Sequence, residues 1–252
     1  MDESPPVNRN VFAILFAVSI LHLVFFLIIL LIGRLNTLGE FPLSLLGGDF
    51  TFILALVQVA ILGVIIYIGL FLGRNVGLGA PLLDGWAKGE PVREQAVSVL
   101  KISLAIGLGV TAAKILLDLL VFSPFVPGIV SQWMQVPLLF QLPIPFMQGI
   151  GDEIIYRLFW MTVIVWLIWK AQGSGDTPPR DPAYWAGILI VGLFPVAGIV
   201  LSGVTGPALL QYTAILLAGA IPFGWLYWKR GIEAALIAHF TSSVALVLLA
   251  LA

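Results

Sequence analysis

Long apolar runs, each close to 20 residues and parted by short polar or Gly/Pro-bearing stretches, decide what this chain can become. A bilayer core offers no water to backbone N–H and C=O groups, so a run of roughly 20 apolar residues crosses it as an α-helix. The period-two alternation of a membrane barrel is absent. Seven runs read as spans: 11–32, 50–72, 97–122, 149–170, 184–201, 207–228 and 232–252. The expected fold is all-α, a polytopic membrane helical bundle of about seven transmembrane helices.

Hydrophobic residues make up 60% of the 252 and charged ones only 10%, which leaves little to build a soluble surface. The net charge of -1 and the absence of any block of like charges argue against a nucleic-acid partner. With no cysteine, thiol catalysis, disulfides and Cys-ligated metals are excluded, and only two histidines remain as nitrogen ligands. The domain reading is a polar N-terminus (1–10), three N-terminal spans (11–122), a Pro-rich interfacial or re-entrant segment (123–148) and a four-span core (149–252). The first run is too long for a signal-peptide core and is read as a retained helix. The mixed charges of 74–94 read as a solvated loop.

Seven spans sort the basic residues sharply. Arg9, Arg74, Lys88, Arg93, Lys170, Arg180, Lys229 and Arg230 fall on one side and Arg34 on the other, which puts the N-terminus in the cytoplasm and the C-terminus outside. Trp166, Trp169, Trp225 and Trp228 sit beside Lys170, Lys229 and Arg230, as an interfacial belt requires.

Against this background Asp152, Glu153 and Arg157 are costly, since an ionisable group at mid-membrane costs about 2.5–3.5 kcal/mol and marks a functional site by default. On a helix Glu153 and Arg157 pair at i,i+4, leaving Asp152 free, with Tyr156 one turn away from it. Lys114 and Asp118 have the same spacing and are expected to form a structural pair. His22, with Ser19 a turn earlier, reads as a packed, hydrogen-bonded residue. In the last span His239 and Ser243 share a face with Ser242 beside them, and the two serines are expected to bond back to carbonyls of the preceding turn. A carboxylate and an imidazole meeting in a membrane cavity are the minimum for activating water against a peptide bond.

The order "DEIIYRLFWMTVIVWLIWK", then Phe194 to Gly198, then "GAIPFGWLYWKRGIEAALIAHF" resembles the CAAX-protease and bacteriocin-processing (CPBP, or Abi) family of intramembrane endopeptidases, over about 149–252. That family's pattern is Glu-Glu-x-x-x-Arg, Phe-x-x-x-His and His-x-x-x-Asn or Asp. The resemblance implies a hydrolytic site at Asp152, Glu153, Arg157, His239 and Ser243, with Tyr156, Phe194, Gly198 and Ser242 around the substrate or cavity. It also implies membrane lipids and a membrane-anchored peptide or protein as partners, and a divalent metal, zinc, held by Asp152 and His239. The pattern is eroded. Asp152 replaces the first glutamate, drawing the carboxylate back by about 1.5 Å, Gly198 replaces a histidine, and Ser243 replaces Asn or Asp. One aspartate and one histidine fall short of the three protein ligands usual for catalytic zinc. A weak or lost protease activity is therefore set against a scaffold, immunity or assembly role in which the cavity, enlarged at Gly198, holds a lipid or a partner helix. The glycines at 187, 192, 198, 203 and 206 suit close helix contact.

Two other mechanisms compete. Gly149-Ile150-Gly151-Asp152 and Pro207-Ala208-Leu209 spell short motifs of presenilin-like proteases, but that chemistry needs two aspartates sharing a proton. Asp118 lacks the preceding tyrosine and is expected to be occupied by Lys114. A serine mechanism using Ser202, Ser242 or Ser243 with His239 is similarly weak, since Ser242 and Ser243 are expected to bond back to carbonyls of the preceding turn. The depths of Asp152 and His239 also conflict. Counted along straight helices they lie about 27 Å from Lys170 and about 13 Å from Arg230. Either the fourth helix outruns the membrane or the connection before the seventh is sunk into the protein.

Overall fold

The computed structural model describes residues 7–35, 48–173 and 177–251; the loop read between the first two spans, the polar start before residue 7 and the Arg34 side chain lie outside the described residues. In order the elements are α1 (Arg9–Leu35), α2 (Gly48–Gly73), α3 (Pro81–Ala87), α4 (Arg93–Leu116), running on as π1 (Leu117–Phe122), and the short α5 (Ile129–Met134), α6 (Leu138–Gln141) and α7 (Ile144–Phe146). There follow π2 (Met147–Met161), continuous with α8 (Thr162–Ala171), then α9 (Asp181–Gly192), α10 (Phe194–Leu201), α11 (Gly206–Arg230) and α12 (Ile232–Leu249). Seven helices among the described residues are long and apolar enough to span a membrane. This is an all-α membrane bundle. The fourth span runs from Leu138 to Ala171, eleven residues ahead of where the apolar run alone placed it.

Two elements form the centre. α12 is packed between α4 and π2, and π2 also touches α1, α2, α9 and α11. Small residues make this possible, since close backbone approach is the main source of helix association where water is absent. A Cβ at Gly107 would press on the Ala238 carbonyl and come 2.8 Å from Thr241 Cβ; one at Gly149 would come 2.7 Å from Phe240 Cα. Ala234, Ala235 and Ala238 on α12 are fully buried between these neighbours. Of the five glycines expected to sit at helix contacts, Gly187 (against Val165) and Gly192 (against Ala220) do so, while Gly198, Gly203 and Gly206 face open space.

The 74–94 stretch is not a solvated loop. Val76, Leu78 and Ala80 are buried, and α3 lies under the start of α12, with the Leu83 N–H donating to Glu233 Oε1 at 2.9 Å and the Ile232 N–H to the Gly79 carbonyl at 2.9 Å. The charges that suggested solvent sit at the rim of this strap, while the alternating apolar residues among them are what folds it inward. Pro81 opens α3, and Gly231, at φ 92°, makes the turn that the strap covers. The Tyr184 hydroxyl donates to the Val76 carbonyl at 2.7 Å and so ties α9 to the same end. The ends that carry Arg74, Lys88, Lys170, Arg180, Lys229 and Arg230 thus gather around one pole of the bundle, where Lys170 and Lys229 lie over Trp169 and Trp228.

Candidate active site

The geometry starts from the winding of π2. Met147–Met161 carries i→i+5 hydrogen bonds, a form usually confined to short bulges at functional sites. It enters from α7 after Pro143 and Pro145, whose rings cannot continue a regular α-helix from behind. The Thr162 hydroxyl donates to the Arg157 carbonyl, five residues back, at 3.4 Å, and meets the Tyr227 hydroxyl at 2.7 Å.

Glu153 is fully buried at the centre. Its Oε1 pairs with Arg157 Nη1 at 3.5 Å and takes a hydrogen bond from His239 Nδ1 at 2.8 Å, while Oε2 is buried without a partner. The His239 ring stacks on Phe223 at 4.7 Å between centroids. With Nδ1 held by a carboxylate and one ring face held by Phe223, Nε2 is the nitrogen left to act. Arg157 also donates through Nη2 to the Ala220 carbonyl at 3.4 Å.

Asp152, Tyr156, Arg157, His239 and Ser243 line one cavity of about 320 Å³, together with Gln148, Lys114, Tyr212 and apolar groups from α5, α9 and α11. The depth conflict is resolved at both ends. The fourth span of 34 residues exceeds what a bilayer core needs, and the first residues of α12 are buried beneath α3 rather than lying at an interface. His239 therefore meets π2 in mid-bundle.

Not every residue singled out in the sequence joins this cavity. Ser242 is buried toward α4, where the Thr111 hydroxyl donates both to its Oγ at 3.0 Å and to its carbonyl at 3.1 Å. The expected back-bonding thus gives way to a partner on another helix. Phe194 is part-exposed and packs edge-on to Trp160 at 5.6 Å. Gly198 is exposed, and a Cβ there would meet nothing within 4 Å, so it does not enlarge the cavity. It lies one turn beyond Pro195, which does line the cavity. Gly192 and Gly219 are the lining glycines.

The Lys114–Asp118 pair is corrected. The helix changes to i→i+5 winding at Leu117, which turns Asp118 off the strip of Lys114. Asp118 instead caps α5, taking the Ile129 and Val130 N–H groups at 2.9 and 2.8 Å and Gln211 Nε2 at 2.7 Å. Free backbone donors at a helix start are strong partners for a carboxylate. Lys114, left without that partner, lines the cavity, and its pairing spacing concealed it in the sequence. His22 holds the Met147 carbonyl at 3.0 Å through Nδ1 and is a packed residue, as expected, against Gly151 of π2. Ser19 bonds the Leu15 carbonyl at 2.7 Å.

The donor set does not fit a zinc site of the usual kind. Among the described residues no three His, Asp or Glu side chains converge as ligands, and His239 Nδ1 is engaged by Glu153.

A family model described as "Rce1-like: Type II CAAX prenyl endopeptidase Rce1-like" matches residues 132–245. No protein of curated function and no solved structure matches the chain. The matched stretch opens in α5 and ends in α12, so it contains the whole Asp152–Glu153–Arg157–His239 arrangement and leaves Lys114 and His22 outside. The match, over less than half of the chain, supports the CAAX-protease-like (CPBP) family for these residues of an integral membrane protein.

Proposed function

We propose that the protein is an intramembrane endopeptidase of low activity that hydrolyses a peptide bond in a membrane-anchored peptide. The observation that carries this reading is the 2.8 Å Glu153–His239 bond beside a cavity that Asp152 also lines. In the proposed step the Asp152 carboxylate, which has no hydrogen-bond partner among the described residues, takes a proton from a water as its oxygen bonds to the substrate carbonyl carbon. His239 Nε2 then gives a proton to the departing amide nitrogen as the C–N bond breaks, while Glu153 holds the ring and offsets the imidazolium charge. Arg157 pairs with Glu153 and holds it in place. No step runs through a metal, since the ligands that would hold one are too few. The N-terminus is proposed to face the cytoplasm, on the strength of the basic residues gathered at one pole.

Membrane-anchored peptides co-reconstituted with the purified protein in lipid vesicles test the reading. Cleavage by the wild type, reduced about 100-fold or more in H239Q, is expected. Cleavage that persists unchanged in H239Q would show that the site lies elsewhere.

One observation favours a second reading, in which the cavity only binds. Gly198 offers no imidazole where the family pattern has one. The vesicle assay separates the two, because an impaired enzyme still cleaves the peptide at a low rate and a pure binding protein does not.

A further inference from the structure

The matched residues 132–245 leave out α1, yet α1 packs directly on π2 and on α7. It grips the entry of π2 at two successive turns. Phe25 stacks on Phe146 with 4.0 Å between ring centroids, and Phe146 meets Phe240, the neighbour of His239, edge-on at 5.2 Å. One turn earlier on α1, His22 Nδ1 lies 3.0 Å from the Met147 carbonyl. A carbonyl oxygen only accepts, so Nδ1 carries the proton and donates. The i→i+5 winding begins at Met147 and directs that same carbonyl at the Asp152 N–H. An oxygen with two lone pairs accommodates both donors. The His22 ring also fills the space beside Gly151, where a Cβ would stand 2.8 Å from its Cγ and press closer still on Nδ1. Only glycine admits the imidazole so near the chain. A phenylalanine would fill that space without the cost of bringing polar nitrogens into a membrane span, so the hydrogen bond is what sets a histidine apart here. A side chain that inserts into the carbonyl ladder is also a known cause of departure from regular helical winding.

We infer that His22 is a positioning residue for Asp152. By donating to the Met147 carbonyl and lying against Gly151, it fixes the backbone from which the Asp152 carboxylate reaches the cavity. With i→i+4 winding the Met147 carbonyl would take the Gly151 N–H instead, and Asp152 would turn about the helix axis away from its present place. The role of Asp152 as a base rests on the hydrolytic reading above; its positioning by His22 is read without any cleavage.

The test uses the full chain as wild type, H22F and H22N. H22F keeps an aromatic ring and removes the donor, whereas H22N offers an amide N–H where Nδ1–H stood. Cleavage of a membrane-anchored peptide is measured in vesicles, and backbone hydrogen exchange in lipid nanodiscs. In H22F kcat is expected to fall about 10-fold or more with KM unchanged, since a base displaced by about 1 Å loses rate rather than substrate affinity. H22N is expected to restore most of that rate. Exchange at the amides of 148–152 is expected to quicken about 10-fold or more in H22F, relative to those of α8, and to return to the wild-type rate in H22N. A histidine that only fills space would lower the melting temperature of both variants and leave kcat per folded molecule unchanged. That result, or equal impairment of H22F and H22N, would overturn the inference, as would unchanged exchange in H22F whatever the rates. A wild type that cleaves nothing would sink the hydrolytic reading, and exchange alone would then decide the role of His22.

Discussion

Glu153 is the residue on which the site turns, because one carboxylate oxygen serves both an arginine and a histidine. E153Q keeps the shape and removes the charge. It leaves Arg157, only 7% exposed, without its anion, so a loss of about 3 kcal/mol is expected in detergent unfolding, together with loss of cleavage. Unchanged stability in E153Q would mean that Arg157 is held by other groups. At this scale the sequence was partly legible. The i,i+4 spacing of Glu153 and Arg157 gave their pair correctly, and the cost of charge in a membrane marked Asp152. The same spacing rule misplaced Lys114, because the rule assumes α-helical winding and the helix changes to i→i+5 three residues further on. The Glu153–His239 contact joins residues 86 apart and had no local signal.

At the scale of elements, the short α5 forms one wall of the cavity and is held by Asp118. D118A leaves two backbone donors without an acceptor and Gln211 with the Pro127 carbonyl alone, and is expected to cost about 3 kcal/mol, with D118N costing less; chemical unfolding monitored by Trp fluorescence reads it. The α4–α12 contact depends on Gly107, so G107A should destabilise by about 1–3 kcal/mol through overpacking against Ala238 and Thr241. Wild-type stability in G107A would show that the two helices slide apart without penalty. α10 behaves oppositely. G198H adds its side chain into open space outside the cavity, so the melting temperature should stay within a degree or two of wild type and cleavage should be unchanged. Hydropathy located every membrane-length helix among the described residues, but the strap at 74–94 was misread, because its mixed charges pointed to solvent and its partners lie about 150 residues away. Its inward fold became visible only through Glu233 and Gly79.

For the whole molecule, the count of seven spans and the gathering of basic ends at one pole yield a testable orientation. The chain has no cysteine, so single replacements report cleanly. S202C should react with an impermeant maleimide on intact cells and K88C only after permeabilisation; the reverse pattern would invert the topology. The fold class followed from the sequence because bilayer physics leaves few choices, whereas the depth of the site depended on a fourth helix that outruns the bilayer and a seventh that begins beneath a strap. The most direct test of the account is hydrolysis itself, read as one oxygen from labelled water entering the new carboxyl terminus of a membrane-anchored peptide in vesicles. The account predicts incorporation by the wild type and a loss of about 100-fold or more in D152N. D152N incorporating label at the wild-type rate, or a wild type that cleaves none of a broad peptide panel, would contradict it.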